Sequence, residues 1–305
     1  MTRVAALDCG TNSLRLLISD DGREVTRLNE IVRLGEGVDA TGRLDGAALA
    51  RTRACLERYT EIMDFEGVSK VRMVATSATR DAENREDFFA MTEQLLGVRA
   101  EVISGEEEAA LSFAGAVSDL DASMGPVCVI DLGGGSTEFI VGEVDGTIYG
   151  SHSAQMGCVR LTERIMRSDP PTATEVEIAR DYVAERMAEV ERIVPVERAK
   201  TFVGVAGTFT TLSALAQGLE RYDRAEIHGS HLRFDALRLS TSHLINSSST
   251  VRASNPVVHP GRADVIAGGA VVVEGIMDMA ERVGKADSFV ISEMDILDGI
   301  VQSLA

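Results

Sequence analysis

The chain has 305 residues, of which 45% are hydrophobic and 26% charged, a size that favours two domains and a composition ordinary for a globular protein. Its formal net charge of −18 argues against general affinity for nucleic acid or for an anionic membrane. The sequence has no bilayer-length apolar stretch, signal peptide or CxxC pair, so we expect a cytoplasmic protein with free thiols.

The predicted elements of the first half alternate between strands and helices. Strands are predicted at residues 3–8, 13–20 and about 23–34, followed by a helix to about Asp64 that Asp45 caps. The elements that follow are a strand at 71–75, a helix at 85–96, a strand at 100–103 and a helix at 106–117. Residues 119–126 are rich in turn formers, and we place a domain boundary between residues 124 and 125.

The second half repeats this plan. The predicted strands are 127–131, 136–144, 146–153, 201–205 and 288–291, and the predicted helices are 158–167, 173–193, a helix to about Gln217, 263–282 and 295–304. Residues 246–261 are rich in Ser, Asn and Pro and predict a loop. The pattern therefore predicts an α/β protein with domains at residues 1–124 and 125–305, whose closing helix can pack back on the first domain.

An eleven-residue signature occurs in both halves. Residues 8–18 read DCGTNSLRLLI and residues 131–141 read DLGGGSTEFIV. Each copy joins two apolar runs, which predicts a strand, a tight turn and a second strand. The turn offers glycines, amide N–H groups, a hydroxyl and an acid, which suit a phosphate held through a hydrated metal ion. A glycine-rich hairpin turn needs no ligand, but two matching copies make that interpretation the weaker one.

The groups predicted to bind phosphate lie in these two turns and are Gly10, Thr11, Asn12, Ser13, Gly133, Gly134, Gly135, Ser136 and Thr137. The pair of turns resembles the phosphate loops of the actin, hexokinase and Hsp70 superfamily. Four more segments, at residues 75–82, 103–109, 156–160 and 292–299, read ATSATRDA, ISGEEEA, MGCVR and SEMDILDG. Together with the turns they resemble the exopolyphosphatase/guanosine pentaphosphate phosphohydrolase (Ppx/GppA) family. The resemblance implies two ribonuclease H-like (actin-like ATPase) domains with a cleft between them.

The same resemblance implies a set of catalytic residues. Removing a terminal phosphoryl group requires neutralised charge, in-line geometry and an oriented water. Asp8 and Asp131 would hold Mg²⁺, or another divalent cation such as Mn²⁺, and Glu138 matches a family acid that is needed for metal binding or catalysis. Glu108, the third of three adjacent glutamates, would deprotonate the attacking water. Arg80 would clamp the transferred phosphoryl group.

Structural interpretations stand beside these roles. Glu138 could be a solvated strand carboxylate, and three adjacent glutamates could simply compensate the dipole of a helix start. Arg80 could form a surface salt bridge with Asp81 or Glu83.

Three other features are ambiguous. Arg160 and Arg262 are weaker candidates for guiding the substrate, and a solvated surface position is the favoured prediction for both. Residues 204–208 (GVAGT) resemble the superfamily's adenosine motif, and they either approach a nucleotide or pack a strand against a helix. His228 and His231 are spaced loosely for a metal site and predict a polar loop.

The sequence thus predicts an exopolyphosphatase that uses a divalent cation and water to release orthophosphate from inorganic polyphosphate. Longer family members carry extra helical domains with a His-Asp metal motif, and this chain has no His-Asp dipeptide, so we expect a preference for shorter polymers. The main alternative is hydrolysis of the 5′ phosphate of guanosine pentaphosphate, with pppGpp or ppGpp as ligand. An actin-fold kinase and a non-catalytic alarmone or polyphosphate sensor are more distant alternatives. The family also implies a homodimer.

Overall fold

The structure is a computed structural model that describes residues 3–304. The chain forms two compact units, the first comprising Met1–Gly115 and Ile296–Ala305 and the second Ala116–Asp295. The chain therefore passes from one unit to the other twice. The boundary that we placed between residues 124 and 125 lies a short way inside the second unit. Of the helices within residues 3–304, none combines the length and apolar character that a membrane span requires.

The first unit contains one five-stranded sheet. Its elements in chain order are β1 (Arg3–Cys9), β2 (Ser13–Asp20), β3 (Arg23–Ile31), α1 (Val38–Thr41), α2 (Gly46–Phe65), β4 (Lys70–Ala75), α3 (Ser77–Asp81), α4 (Arg85–Leu96), β5 (Glu101–Val102) and α5 (Gly105–Ala116). The sheet order is β3-β2-β1-β4-β5, with β1, β2 and β3 antiparallel and β4 and β5 parallel to β1. Helix α2 begins where predicted, because the Asp45 carboxylate accepts hydrogen bonds from the backbone N–H groups of Ala47 and Ala48.

The second unit contains a six-stranded sheet. Its elements are β6 (Val127–Leu132), β7 (Thr137–Gly142), β8 (Ile148–Ala154), α6 (Cys158–Arg164), α7 (Ala173–Ile193), β9 (Thr201–Val205), α8 (Ala206–Ala216), α9 (Arg224–Ile227), β10 (His231–Arg233), α10 (Phe234–Asn246), α11 (Ser249–Ala253), α12 (Ile266–Met279) and β11 (Ser288–Ile291). The order β8-β7-β6-β9-β11 repeats β3-β2-β1-β4-β5, and β10 extends the edge beyond β11. The α/β class and the repeated plan are confirmed.

Burial explains why these strands form. Every residue of β6 is buried, as expected for a central strand covered on both faces.

The closing helix α13 (Ile296–Gln302) lies in the first unit, where Ile296, Leu297 and Ile300 pack against apolar residues of β1, β2 and β4. A side chain on Gly299 would overlap the Leu111 carbonyl oxygen, so a glycine is what lets α13 approach α5 so closely.

The sequence prediction fails in the segment at residues 246–261. This segment is not a plain loop, because it contains α11 and a 3₁₀ turn at Pro260–Arg262. The Ser248 hydroxyl accepts a hydrogen bond from the Val251 N–H, so one of the serines that predicted a loop instead starts a helix. Helices α3 and α10 were not predicted either.

Candidate functional site

The two copies of the signature fold into the same turn. In the first, the Gly10 N–H donates to the Ser13 carbonyl oxygen at 3.0 Å, and in the second the Gly133 N–H donates to the Ser136 carbonyl oxygen at 3.0 Å. The acid of each copy lies at the end of the strand that enters the turn. We call residues 10–13 the first turn and residues 133–136 the second turn.

The carbonyl groups of the three glycines in the second turn face α6. Four N–H groups bind the three carbonyl oxygens, with Cys158 N donating to Gly133 O (3.1 Å), Val159 N and Arg160 N to Gly134 O (2.9 and 3.1 Å), and Arg160 Nε to Gly135 O (2.7 Å). A trans peptide is planar and places its N–H opposite its C=O. The N–H groups of Gly134, Gly135 and Ser136 therefore point away from α6. Successive N–H groups that point the same way form a concavity suited to an anion.

The MGCVR segment is the support of this turn. A Cβ atom on Gly157 would overlap Gly134 O and lie 2.6 Å from Gly135 N, so glycine is what allows the two backbones to touch. The Thr137 hydroxyl donates to the Met156 carbonyl oxygen at 2.5 Å, which joins the end of the turn to the same segment.

Arg160 does not have the surface position that we favoured from the sequence. The residue is only 8% exposed, because its side chain folds back from α6 onto the Gly135 carbonyl. A single sequence gives no sign of this contact, since the two residues lie 25 positions apart.

The first turn is held by the segment that follows β3. Thr11 O accepts from Gly35 N at 2.8 Å, and Asn12 O accepts from Val32 N and Arg33 N at 3.1 and 2.9 Å. A Cβ atom on Gly35 would overlap the Thr11 side chain. Sequence reasoning missed this segment, although a signal existed, since Gly35 follows the third strand of its unit as Gly157 follows the third strand of the other.

The carboxylates of the signatures are buried but have different register partners. Asp8 lies opposite Arg15 across β1 and β2, with Arg15 Nη1 3.8 Å from Asp8 Oδ2. Asp131 lies opposite Glu138 across β6 and β7, so two carboxylates share one face of the sheet. Glu138 is 1% exposed and accepts a hydrogen bond from Ser153 Oγ at 2.7 Å. It is therefore not a solvated strand carboxylate.

The first unit brings together the predicted base and the predicted phosphoryl clamp. Of the three adjacent glutamates in α5, Glu106 and Glu107 are exposed and Glu108 is 8% exposed. Arg80 Nη1 donates to Glu108 Oε2 at 3.1 Å and to the Ile103 carbonyl oxygen at 2.8 Å. The ion pair of Arg80 is thus with Glu108 and not with a neighbouring surface acid, and the guanidinium holds the carboxylate in place.

The carboxylates fit a hydrated divalent cation. Within residues 3–304, no three His, Cys, Asp or Glu side chains are gathered as a metal cage. The second unit offers Asp131 and Glu138 at paired positions, and the first unit offers Asp8. Mg²⁺ takes oxygen ligands, dehydrates reluctantly and is often bound through one or two carboxylates. Mn²⁺ accepts the same ligands, whereas a zinc site would use the nitrogen and sulfur ligands that this set lacks.

The GVAGT turn is filled by side chains of the same unit. The Arg262 guanidinium occupies the place where a Cβ atom on Gly207 would lie, and a Cβ atom on Gly204 would overlap the Phe209 ring. Both contacts favour the packing interpretation of this turn. Arg262 is therefore not a freely solvated arginine either.

His228 binds two other segments of the second unit. Its Nε2 lies 2.5 Å from Asp119 Oδ2, and its Nδ1 accepts the Glu293 N–H at 3.1 Å. Both ring nitrogens are therefore used in hydrogen bonds within the protein. His231 lies in β10 with its side chain exposed. The four cysteines are all buried and free, as predicted.

Comparison with known proteins shows the family of this chain. Residues 19–303 match the model of the Ppx/GppA phosphatase family. A Mycobacterium tuberculosis protein named Exopolyphosphatase 2 is 53% identical, with 100% of this chain and 99% of that protein covered. The crystal structure of an exopolyphosphatase-like protein has a TM-score of 0.97 at 41% identity, with 99% and 98% of the two chains covered. An Aquifex aeolicus Ppx/GppA structure has a TM-score of 0.81 at 30% identity, with 99% and 97% covered. The chain belongs to the Ppx/GppA phosphatase family.

Proposed function

We propose that this protein is an exopolyphosphatase that hydrolyses the terminal phosphate of inorganic polyphosphate. The observation that carries the proposal is the pairing of Arg80 with the buried Glu108 carboxylate, because a protein that only binds phosphate needs no group to deprotonate water. The full-length similarity to a relative named Exopolyphosphatase 2 supports the same substrate class.

In the proposed reaction, Glu108 accepts a proton from the attacking water. The water oxygen forms a bond to the terminal phosphorus, the bridging P–O bond breaks, and the shortened chain leaves with its electron pair. Arg80 keeps Glu108 oriented and offers further N–H donors, since a guanidinium has five. These donors stabilise the negative charge on the transferred phosphoryl group.

Each turn, within its own unit, offers backbone N–H donors for phosphate oxygens. In the second turn the amides of Gly134, Gly135 and Ser136 point away from α6, and we assign them to the phosphoryl oxygens. The amides of Asn12 and Ser13 have the corresponding direction in the first turn, because their carbonyl partners are bound by the segment at residues 32–35. Backbone donors of this kind cost no reorganisation when charge develops.

We propose Mg²⁺, or Mn²⁺ in its place, as the cofactor. Asp131 and Glu138 would hold it in the second unit, and Asp8 is the candidate ligand in the first. When bound, the cation neutralises charge on the phosphate oxygens. Ser153 restricts the orientation of Glu138 through the hydrogen bond that its hydroxyl donates.

The proposed substrate preference is for short polymers. Each added phosphate brings another negative charge to a protein with a net charge of −18. Affinity for the polymer can therefore rise with its length only where a local set of arginines contacts the added phosphates. We expect distributive cleavage, with polymers of intermediate length visible on a gel during digestion. A gel that shows only intact polymer and free phosphate throughout would contradict this expectation.

The function is tested by measuring phosphate release from polyphosphates of defined length, pppGpp and ATP side by side. An exopolyphosphatase releases phosphate fastest from polyphosphate, and release that is fastest from pppGpp favours the alternative substrate. Binding of polyphosphate or pppGpp without phosphate release favours a sensor. Transfer of phosphate to an acceptor instead of to water favours a kinase.

We also propose a homodimer in the cytoplasm. Family resemblance supports the dimer, and the four buried free thiols suit a reducing compartment. Sedimentation at micromolar concentration tests the first proposal, and a sedimenting species of 32.6 kDa would contradict it.

A further inference from the structure

The two turns are supported by different kinds of hydrogen-bond donor. In the first turn, the carbonyl oxygen of Asn12 accepts from two main-chain N–H groups, those of Val32 and Arg33. In the second turn, the carbonyl oxygen at the corresponding position, Gly135, accepts from the side chain of Arg160. The orientation of the last peptide of the second turn therefore depends on a side chain.

This hydrogen bond determines which way the Gly135–Ser136 peptide faces. With the Gly135 carbonyl bound to Arg160 Nε at 2.7 Å, the Ser136 N–H points to the opposite side. A glycine has access to more backbone conformations than any other residue, so this peptide can rotate more readily once the bond is lost. A rotated peptide would present a carbonyl oxygen, in place of an N–H, to the phosphate and would repel it.

The position of Arg160 suits this task. It lies at the N-terminal end of α6, where main-chain N–H groups already bind Gly133 O and Gly134 O. The residue is buried, and its Nε lies 2.7 Å from the Gly135 carbonyl oxygen. One short segment thus binds the carbonyl groups of all three glycines in the second turn. It binds two of them through its backbone and the third through a side chain.

We infer that Arg160 is a positioning residue that keeps the Ser136 N–H directed at the substrate phosphate through its hydrogen bond to the Gly135 carbonyl oxygen. The inference rests on the proposed function, since it assigns the second turn to phosphate. It gives Arg160 a role that acts through the turn and requires no contact with the polymer.

The test compares Arg160→Gln, which keeps an N–H donor, with Arg160→Met, which removes it. Arg167→Lys is the matched control, because Arg167 Nε also donates to a main-chain carbonyl, that of Glu163 at 2.8 Å, from an exposed position. We expect Arg160→Met to lower kcat/KM for a short polyphosphate by roughly 10²-fold, as for the loss of one oxyanion-binding donor. Arg160→Gln should recover part of that loss, and Arg167→Lys should match the wild type.

A second measurement separates positioning from a general loss of packing. Protein labelled with ¹⁵N-glycine is titrated with inorganic phosphate, and the amide signals of Gly134 and Gly135 are followed. In the wild type and in Arg167→Lys these signals should shift on phosphate addition. In Arg160→Met the shift should be lost, while the signal of Gly146, in the turn at the opposite end of β7, keeps its wild-type position, which reports an intact fold of the same unit.

The outcomes distinguish the inference from the proposed function. Wild-type kcat/KM and wild-type glycine shifts in Arg160→Met would overturn the inference and leave the function standing. A wild-type protein that releases no phosphate from polyphosphate would overturn the function, and the glycine titration would then decide the inference alone. Should Arg160→Met fail to fold, Arg160→Ala, which also lacks the donor, carries both measurements, and equality of Arg160→Ala with the wild type overturns the inference.

Discussion

The two units build the same turn around an acid but place a different charge beside it. In the first unit the partner of Asp8 across the hairpin is Arg15, and in the second the partner of Asp131 is Glu138. Glu108, the other buried acid of the first unit's motifs, also lies against an arginine. A shared backbone plan thus carries paired charges in one unit and two adjacent carboxylates in the other.

This difference indicates a division of labour. Two carboxylates on one sheet face repel each other, and we propose that the second unit is the one that gains most from a divalent ion. The first unit supplies its own positive charge and is suited to hold a base and a phosphoryl group.

The largest effect is expected from Glu108→Gln. Substrate binding should persist while kcat falls by roughly 10²- to 10⁴-fold, the usual loss on removing a general base. Steady-state kinetics measure it, with Glu106→Gln as the control, because Glu106 is an exposed neighbour in the same helix. Near-normal turnover in Glu108→Gln would rule out Glu108 as the base and shift the role towards Glu107 or Glu138.

The second prediction compares the two aspartates. Asp131→Asn should raise the Mg²⁺ concentration for half-maximal activity by roughly 10- to 100-fold, the range seen when outer ligands of a metal site are lost. Asp8→Asn should raise it less, because a guanidinium already lies beside Asp8. Activity is titrated with Mg²⁺ after chelation. An equal rise in both variants would refute the division of labour. Full activity in excess EDTA would show that the reaction needs no divalent cation.

The third prediction compares the glycines that support the turns. Gly157→Ala should cost about 1–3 kcal/mol of stability, as overpacking does, and should lower kcat/KM, because the new Cβ meets the backbone of Gly134. Gly35→Ala should cost a similar amount through overlap with the Thr11 side chain and with Ala78 Cβ at 2.8 Å.

The two glycine sites should differ in whether a second change rescues them. Thr11→Ser removes the methyl group that Gly35→Ala meets, so the double variant should regain part of the lost stability in thermal unfolding. At Gly157 the obstacle is main chain, and no side-chain change relieves it. Failure of Thr11→Ser to recover any stability would show that the first turn is as rigidly held as the second.

The smallest effect concerns the start of α7, the longest helix of the second unit. Hydrogen bonds from the Thr172 N–H and hydroxyl, followed by those from Ser168, lower the pKa of Glu175 to about 2 from an ordinary 4.5. A lowered pKa in the folded state means that this stabilisation is fully present above about 4.5 and is lost as the pH falls towards 2.

Glu175→Gln should therefore lower the Tm slightly at pH 6, and the difference should vanish as the pH approaches 2. Thermal unfolding as a function of pH measures the difference. A Tm difference for Glu175→Gln that grows on acidification would contradict the sign of the pKa shift.

Much of the fold was predictable because many of its helices and strands follow from patterns of residues that are close together in the sequence. Apolar runs interrupted by glycine-rich turns predicted the three antiparallel strands of each unit, and helix α7 was predicted at its observed bounds. These elements depend on neighbours along the chain. Helix α10 was not predicted, although its apolar and polar residues alternate with a helical period.

The candidate site, like the fold, has features that the sequence predicts and contacts that only the structure shows. The sequence by itself determined the repeated turns, their acids and, through family resemblance, the choice of Glu108 among three glutamates. Only the tertiary structure decided that Arg160 is buried against Gly135, that residues 32–35 hold the first turn and that Arg262 lies on Gly207. These contacts join residues that are far apart in the chain, and an arginine has the same local signature whether folding leaves it in solvent or places it against a distant carbonyl group.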